Sequence, residues 1–160
     1  MRSRPTSILA AVALLATLTG CTFLADQTVQ TPYDPSDGFG TQVGGVDIRN
    51  VLLVTDDGET ANLLVNLINT SGENVAMKVS WETSTGRTER NLYVAAGATK
   101  SFGNPSNQVI LRGLDAELGS LFPVYFQYGD NEGSELDVPV LDGQLPEYSD
   151  LVPALSDTTE

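Results

Sequence analysis

Between Val46 and Leu141 the apolar residues fall in short alternating packets separated by turn formers, and no helical period is sustained. The first packet predicts a strand over residues 46–55. Val46, Ile48, Leu52 and Val54 share one parity there, and Val51 and Leu53 occupy the other. A strand that becomes apolar on both faces is one covered on both sides. Asp56-Asp57-Gly58-Glu59 predicts a hairpin turn, with Asp-Gly supplying left-handed positions. Ala61, Leu63, Val65 and Leu67 alternate along the returning strand, which ends at Asn69-Thr70-Ser71-Gly72. Val75, Met77, Val79 and Trp81 alternate next, with Lys78 and Ser80 facing away. The polar run up to Asn91 around Gly86 reads as a hairpin tip, and Leu92 and Val94 resume the inward face before Ala96-Gly97-Ala98. Val109 and Leu111 predict a short strand after the Gly103-Asn104-Pro105 turn, and residues 114–119 an irregular turn. Val124, Phe126 and Tyr128 predict a strand entered at Pro123. After a polar hairpin at 130–135, Leu136, Val138 and Val140 predict the last strand, placed at an edge because Pro139 cannot donate to a ladder.

About seven strands, with turns every eight to twelve residues or so, predict an all-β fold: an antiparallel β-sandwich, immunoglobulin-like or cupredoxin-like in architecture. A small barrel is the competing arrangement, and the Cys-Trp-Cys signature of true immunoglobulin domains is absent. The expected organisation is a signal segment at 1–20, a tether at 21–45, the sandwich at 46–141 and an acidic tail at 142–160. Turn formers dominate Thr31-Pro32-Tyr33-Asp34-Pro35-Ser36-Asp37-Gly38 in the tether, where Val29 and Tyr33 predict at most a short edge strand.

The amino-terminal segment changes the picture most. Arg2 and Arg4 precede an uncharged apolar stretch at 8–18, which closes in Leu18-Thr19-Gly20-Cys21. Basic start, short apolar middle and small residues before a cut are the layout of a secretory signal. The stretch is shorter than the ~20 residues of a membrane-spanning helix. Its last four residues resemble a bacterial lipobox, in which a diacylglycerol is attached to the cysteine sulfur before cleavage at its amino side. Cys21 is the only cysteine, and an unpaired thiol is a liability in a secreted protein. The expectation is a lipoprotein carrying diacylglycerol and palmitate on Cys21, held at the cell membrane on its extracytoplasmic face.

From residue 21 onward the chain carries 6 basic and 21 acidic side chains, a formal charge of −15. That field repels nucleic acid, whose recognition needs basic groups on phosphates, and it keeps a tethered protein soluble. The chain has no histidine, which removes Ser-His-Asp triads, His-paired cysteines and His-containing metal sites. Catalysis would rest on carboxylates or on Lys78 or Lys100. Adjacent acids such as Asp56 and Asp57 read as a solvated turn. Asp130, Glu132, Glu135 and Asp137 form the best calcium-like cluster, although Gly133 does not fit the EF-hand spacing and alternation separates neighbouring side chains. Met77, Trp81, Phe102, Phe122, Tyr125 and Tyr128 suggest a ligand pocket, but Met77 and Trp81 share the parity of Val75 and Val79 and read as core. Tyr125 opposes the parity of Val124 and Phe126 and faces outward. Asn69-Thr70-Ser71 matches a glycosylation acceptor only formally.

The stretches Val46-Asp47-Ile48-Arg49-Asn50-Val51-Leu52-Leu53-Val54, Leu67-Ile68-Asn69-Thr70-Ser71-Gly72, Ala95-Ala96-Gly97-Ala98 and Val138-Pro139-Val140-Leu141, with the Tyr33 turn region ahead of them, resemble small actinobacterial lipoproteins of the Lpq type. That group is distantly similar to the periplasmic copper chaperone domain, a cupredoxin-like sandwich that binds Cu(I) through histidines and methionines. The resemblance implies fold and location. No copper residue carries over, since only Met77 remains after the signal. The expected function is a non-enzymatic binding or accessory module without cofactor, acting on an envelope protein partner through end loops such as 101–107 and 130–135 or an uncovered sheet edge. Metal handling is the alternative, and a carboxylate-based hydrolase a more remote one.

Overall fold

The computed structural model describes residues 36–154. The signal segment, Cys21, the Val29–Tyr33 strand and the last six residues of the tail lie outside the described residues. Nine strands are formed: β1 (Phe39–Val43), β2 (Val46–Val54), β3 (Thr60–Asn69), β4 (Val75–Thr83), β5 (Gly86–Val94), β6 (Thr99–Phe102), β7 (Ile110–Arg112), β8 (Leu121–Gln127) and β9 (Ser134–Leu141). They run in the order β5-β4-β8-β9-β2-β3-β6, with β1 added beside β2 and β7 beside β3. The path curls into two layers, β5-β4-β8-β9 and β9-β2-β3-β6, joined through β9. The fold is an all-β sandwich with two more strands than the sequence pattern predicts.

Both alternating sets meet in one core. Ala61, Leu63, Val65 and Leu67 from β3 and Val75, Met77, Val79 and Trp81 from β4 are buried together, with Phe126, Val138 and Val140 between them. Trp81 keeps its indole N–H satisfied by donating to the Arg112 carbonyl at 3.0 Å, which lets so large a ring lie inside.

The structure corrects the parity assigned along β2. Asn50 adopts a positive φ of 51°, and the register against β3 slips between Arg49 and Leu52. One extra residue reverses the facing of everything after it. Val46 and Ile48 therefore enter the main core with Val51 and Leu53, whereas Leu52 and Val54 turn to the outer face. Gly38 packs on this bulge: its N–H donates to Asn50 Oδ1 at 3.2 Å, and a Cβ there would sit 2.6 Å from the Asn50 carbonyl carbon.

β9 is also corrected. It is interior, antiparallel to β8 and parallel to β2 at Leu53↔Val140 and Val54↔Leu141. Val140 N donates to Ser120 O at 3.0 Å, on the β8 side. Peptide groups alternate along a strand, so the nitrogen of Pro139 points toward β2 just before that ladder begins. Its missing donor costs nothing. The polar run after Trp81 is strand as far as residue 83 and again from 86, and the tip is only Ser84-Thr85. Residues 86–91 read as loop because each of them is exposed, a property of an edge strand that extends past the core. β6 escapes the pattern because it is four residues long with one buried side chain.

Both domain boundaries move outward. β1 lies inside the stretch assigned to the tether, paired to β2 through Thr41↔Ile48 and Val43↔Val46. Residues 142–153, assigned to the tail, form a strap over the outer face of β2. Tyr148 packs there on Leu52 and Val54, with Leu64, Leu141, Leu151 and Val152 around it. Composition gave the wrong answer because the strap is rich in acids, prolines and small polar residues, among which Tyr148, Leu151 and Val152 pack on the sheet.

Candidate functional site

Strand direction gathers the turns after β1, β3, β5 and β8 at one end of the sandwich, and their backbone is tied into a frame. Asn69, the last residue of β3, is 1% exposed. Its Nδ2 donates to the carbonyls of Glu73 at 2.7 Å and Ala95 at 3.0 Å, and its Oδ1 accepts from Ser71 N and Oγ. One side chain thus links two loops. The amide is fully engaged and buried, so Asn69 offers nothing to a glycosyl donor. Asn74 Oδ1 accepts from Ala96 N at 3.0 Å, Thr70 N donates to Gly45 O at 2.9 Å, and the Tyr128 hydroxyl accepts from Gly45 N at 2.9 Å.

Two grooves open on this frame, on either side of Asn74, Val75 and Ala76. The first, of about 630 Å³, has apolar walls from Val94, Ala95 and Ala98, with Tyr93 and Lys100 at its rim. Tyr93 is 64% exposed, and Lys100 Nζ donates to its carbonyl at 3.1 Å. The second, of about 760 Å³, is polar and is lined by Glu73, Tyr128, Asp130 and Asn131 among others. Rigid loops around a partly apolar concavity suit binding of a flexible ligand, because the protein side has little left to order.

The residues singled out from the sequence are dispersed. Loop 130–135 borders the polar groove, but loop 101–107 is at the opposite end. Asp57 Oδ1 accepts from the N–H groups of Thr60 and Glu59, each at 2.8 Å, and from the Thr55 hydroxyl at 3.1 Å. The Thr60 N–H foremost, with Glu59 and Thr55, holds this carboxyl below its ordinary value against the opposing pull of partial burial. Of the two residues expected to be left-handed in that turn, only Gly58 is so, with φ 73°. Asp56 Oδ1 accepts from Gly143 N at 3.2 Å, pinning the strap. Glu135 and Asp137 project from the outer face of β9 opposite Tyr125 and Pro123. Among the described residues no three acidic side chains converge as a group fit to hold a metal ion. Tyr125 does face outward, with the Arg87 guanidinium 5.6 Å above its ring. Tyr93 and Asn74 were not singled out. The signal for Tyr93 was its parity, outward between inward-facing Leu92 and Val94.

The residues do not fit the Cu(I) that the copper chaperone resemblance implies. The chain lacks histidine, and Met77 is 0% exposed, with its thioether in the middle of the core. A Cu(I) site needs several soft ligands converging at an accessible place.

No protein-family model and no curated protein sequence matches the chain. Among solved structures, the chain is similar to the apo PCuAC domain from PmoF1, at 13% identity and a TM-score of 0.49, over 64% of this chain and 98% of that one.

Proposed function

We propose that the chain is a lipid-anchored, non-enzymatic binding module on the outer face of the cytoplasmic membrane, which engages an envelope protein through the grooved end of its sandwich. The lipobox resemblance ending in Cys21 supports the anchor. The observation that carries the binding role is the pair of grooves built on the Asn69 frame. The Tyr148 hydroxyl bonds to Asp37, which places the start of the described chain beside the strap and toward the opposite end from the grooves. A tether entering there leaves the grooved end free to meet a partner. From Cys21 to Ser36 an extended chain spans at most about 50 Å, which sets the reach above the membrane.

Cys21→Ala in the native host tests the anchor, with expected loss of membrane retention and of processing by mass spectrometry. Unchanged retention defeats it. Crosslinking on intact cells tests the binding role. A reproducible partner whose yield falls in Tyr93→Ala and Asn131→Ala variants supports it, and equal yield from both variants removes the grooves from the interaction.

A further inference from the structure

The charge of the chain is divided unequally along it. Residues 74–113 carry five basic and two acidic side chains, a formal +3, whereas the rest of the chain from residue 21 carries one basic and 19 acidic. This segment is β4 through β7. Its two acids are already engaged, Glu82 with Arg87 at 2.7 Å and Glu89 with Lys78 at 3.4 Å. Arg90 and Lys100 have no carboxylate partner among the described residues. Arg90 Nη1 donates to Ile110 O at 2.9 Å. Lys100 reaches from β6 to the Tyr93 carbonyl on β5, its ammonium 4.7 Å above the centre of the Phe102 ring. An ammonium has three donors and a guanidinium five, so both keep spare ones. Lys100 thus bridges the seam between β6 and β5, the last and first strands of the sheet path, while Arg90 reaches from β5 to β7 beside it.

The β5 side of the seam is an open edge. The hairpin closes through Thr83↔Gly86, and the register to Val75↔Val94 is unbroken. In a two-residue hairpin the closing pair is hydrogen-bonded, so even-numbered residues of β5 exchange bonds with β4. Arg87, Glu89, Asn91 and Tyr93 direct their peptide groups outward, as the Lys100 bond to Tyr93 O confirms. Residues 86–91 are all exposed. The outward row ends at the apolar groove of about 630 Å³ beside Tyr93.

We propose that this edge binds an extended acidic peptide segment of the envelope partner by strand addition. The peptide backbone pairs with the odd-numbered residues of β5, its carboxylates meet Arg90 and Lys100, and an apolar side chain fills the groove. The inference deepens the reading of the chain as a binding module and rests on it. Open edges accept strands through main-chain bonds, with neighbouring pockets supplying the selectivity. The acidic remainder of the chain does not prevent this, because charges beyond about 8 Å are largely screened at physiological salt.

The test is calorimetric titration of the full chain in non-ionic detergent with a capped peptide of about ten residues alternating valine and glutamate, against its valine-lysine counterpart. The expected result is saturable binding of the acidic peptide alone. Arg90→Glu with Lys100→Glu should weaken it at least about tenfold. Asn91→Pro should abolish it while sparing the β4 ladder, since the Asn91 N–H faces outward. Amide hydrogen exchange on the unsubstituted chain gives a readout independent of any variant: peptide should slow exchange at residues 87, 89, 91 and 93 and leave 88 and 90 unchanged. Equal binding of both peptides, no saturation by about 1 mM, or unchanged exchange along β5 overturns the proposal. So does binding of phosphatidylglycerol vesicles in place of the peptide, or self-association that protects the same amides. A partner still captured on cells through the grooves, with the peptide failing, removes this inference alone.

Discussion

The two layers of the sandwich share a core but treat their outer faces in opposite ways. In the layer of β2 and β3 the outward side chains Leu52, Val54 and Leu64 are apolar, and the strap closes over them with Tyr148, Leu151 and Val152. In the layer of β4 and β5 the outward side chains include Lys78, Glu82, Arg87 and Glu89, paired across the strands, and no strap among the described residues covers them. The lesson is that one strand's outward residues foretell what lies above them. Apolar ones require a cover, because leaving them in water forfeits roughly 1.5–3 kcal/mol for each large side chain. Exposed ion pairs require none and contribute little. Both layers hold the shared core, but only the covered layer adds stability through its outer face, and the bare outer face is free to carry contacts.

The largest expected effect breaks the core that both layers share. Val65 is 1% exposed, so Val65→Asp buries an unpaired charge and should leave the chain unfolded at room temperature by circular dichroism. Wild-type-like melting would detach β3 from the core.

Removing the cover comes next. Tyr148→Ala should destabilise by about 3 kcal/mol in denaturant melts and speed proteolysis within residues 142–153. An equal loss from Arg87→Ala would erase the distinction between the two faces. The same residue gives a pH signature. The Tyr148 phenol is pushed up to about 12 from 10.0, first by burial and then by its bond to Asp37 and the negative charge of Asp37 and Glu147. The folded state holds the neutral phenol, so this contribution is complete below pH 10 and is lost as pH rises from there through about 12. Tyr148→Phe should lack that component of the alkaline transition.

Asn62 fastens the strap to the turn after β6. It is 0% exposed, donates to Gly103 O at 2.7 Å and Leu151 O at 2.8 Å, and accepts from Val109 N at 3.0 Å. Asn62→Ala leaves the Val109 donor and the Gly103 acceptor buried and unpaired, a loss of roughly 2 kcal/mol. Hydrogen exchange should rise in the strap and in the turn after β6 together, and a rise confined to one would contradict the shared fastening.

The smallest effect belongs to the bare layer. Arg87→Ala removes an exposed ion pair with Glu82 and the contact with Tyr125, and should shift stability by less than about 1 kcal/mol. A larger loss would mean that this face is structural after all.

Much of this was legible in the order of residues. Period-two alternation in 61–67 and 75–81 identified two strands and their shared core, because side chains of a strand alternate by geometry alone. The apolar run of Val51, Leu52, Leu53 and Val54 announced burial on both faces, although not what supplied the second cover. The lipobox resemblance and the absent histidine likewise needed no coordinates. Tertiary structure alone decided the rest. Asn50 is of a residue type that tolerates a positive φ, but asparagine also occupies regular strand positions, so the sequence did not locate the bulge that determines which of Val51 and Leu52 enters the main core. Pro139 suggested an edge, but only the partner strands show that its missing N–H falls where no bond is due. Tyr148 lies among acids and prolines that read as tail, and its burial depends on Leu52 and Val54 almost a hundred residues earlier. The groove beside Tyr93 and the seam bridged by Lys100 join residues from different strands. Local pattern records which face of a strand a residue occupies, whereas contacts between distant segments exist only once the chain has closed on itself.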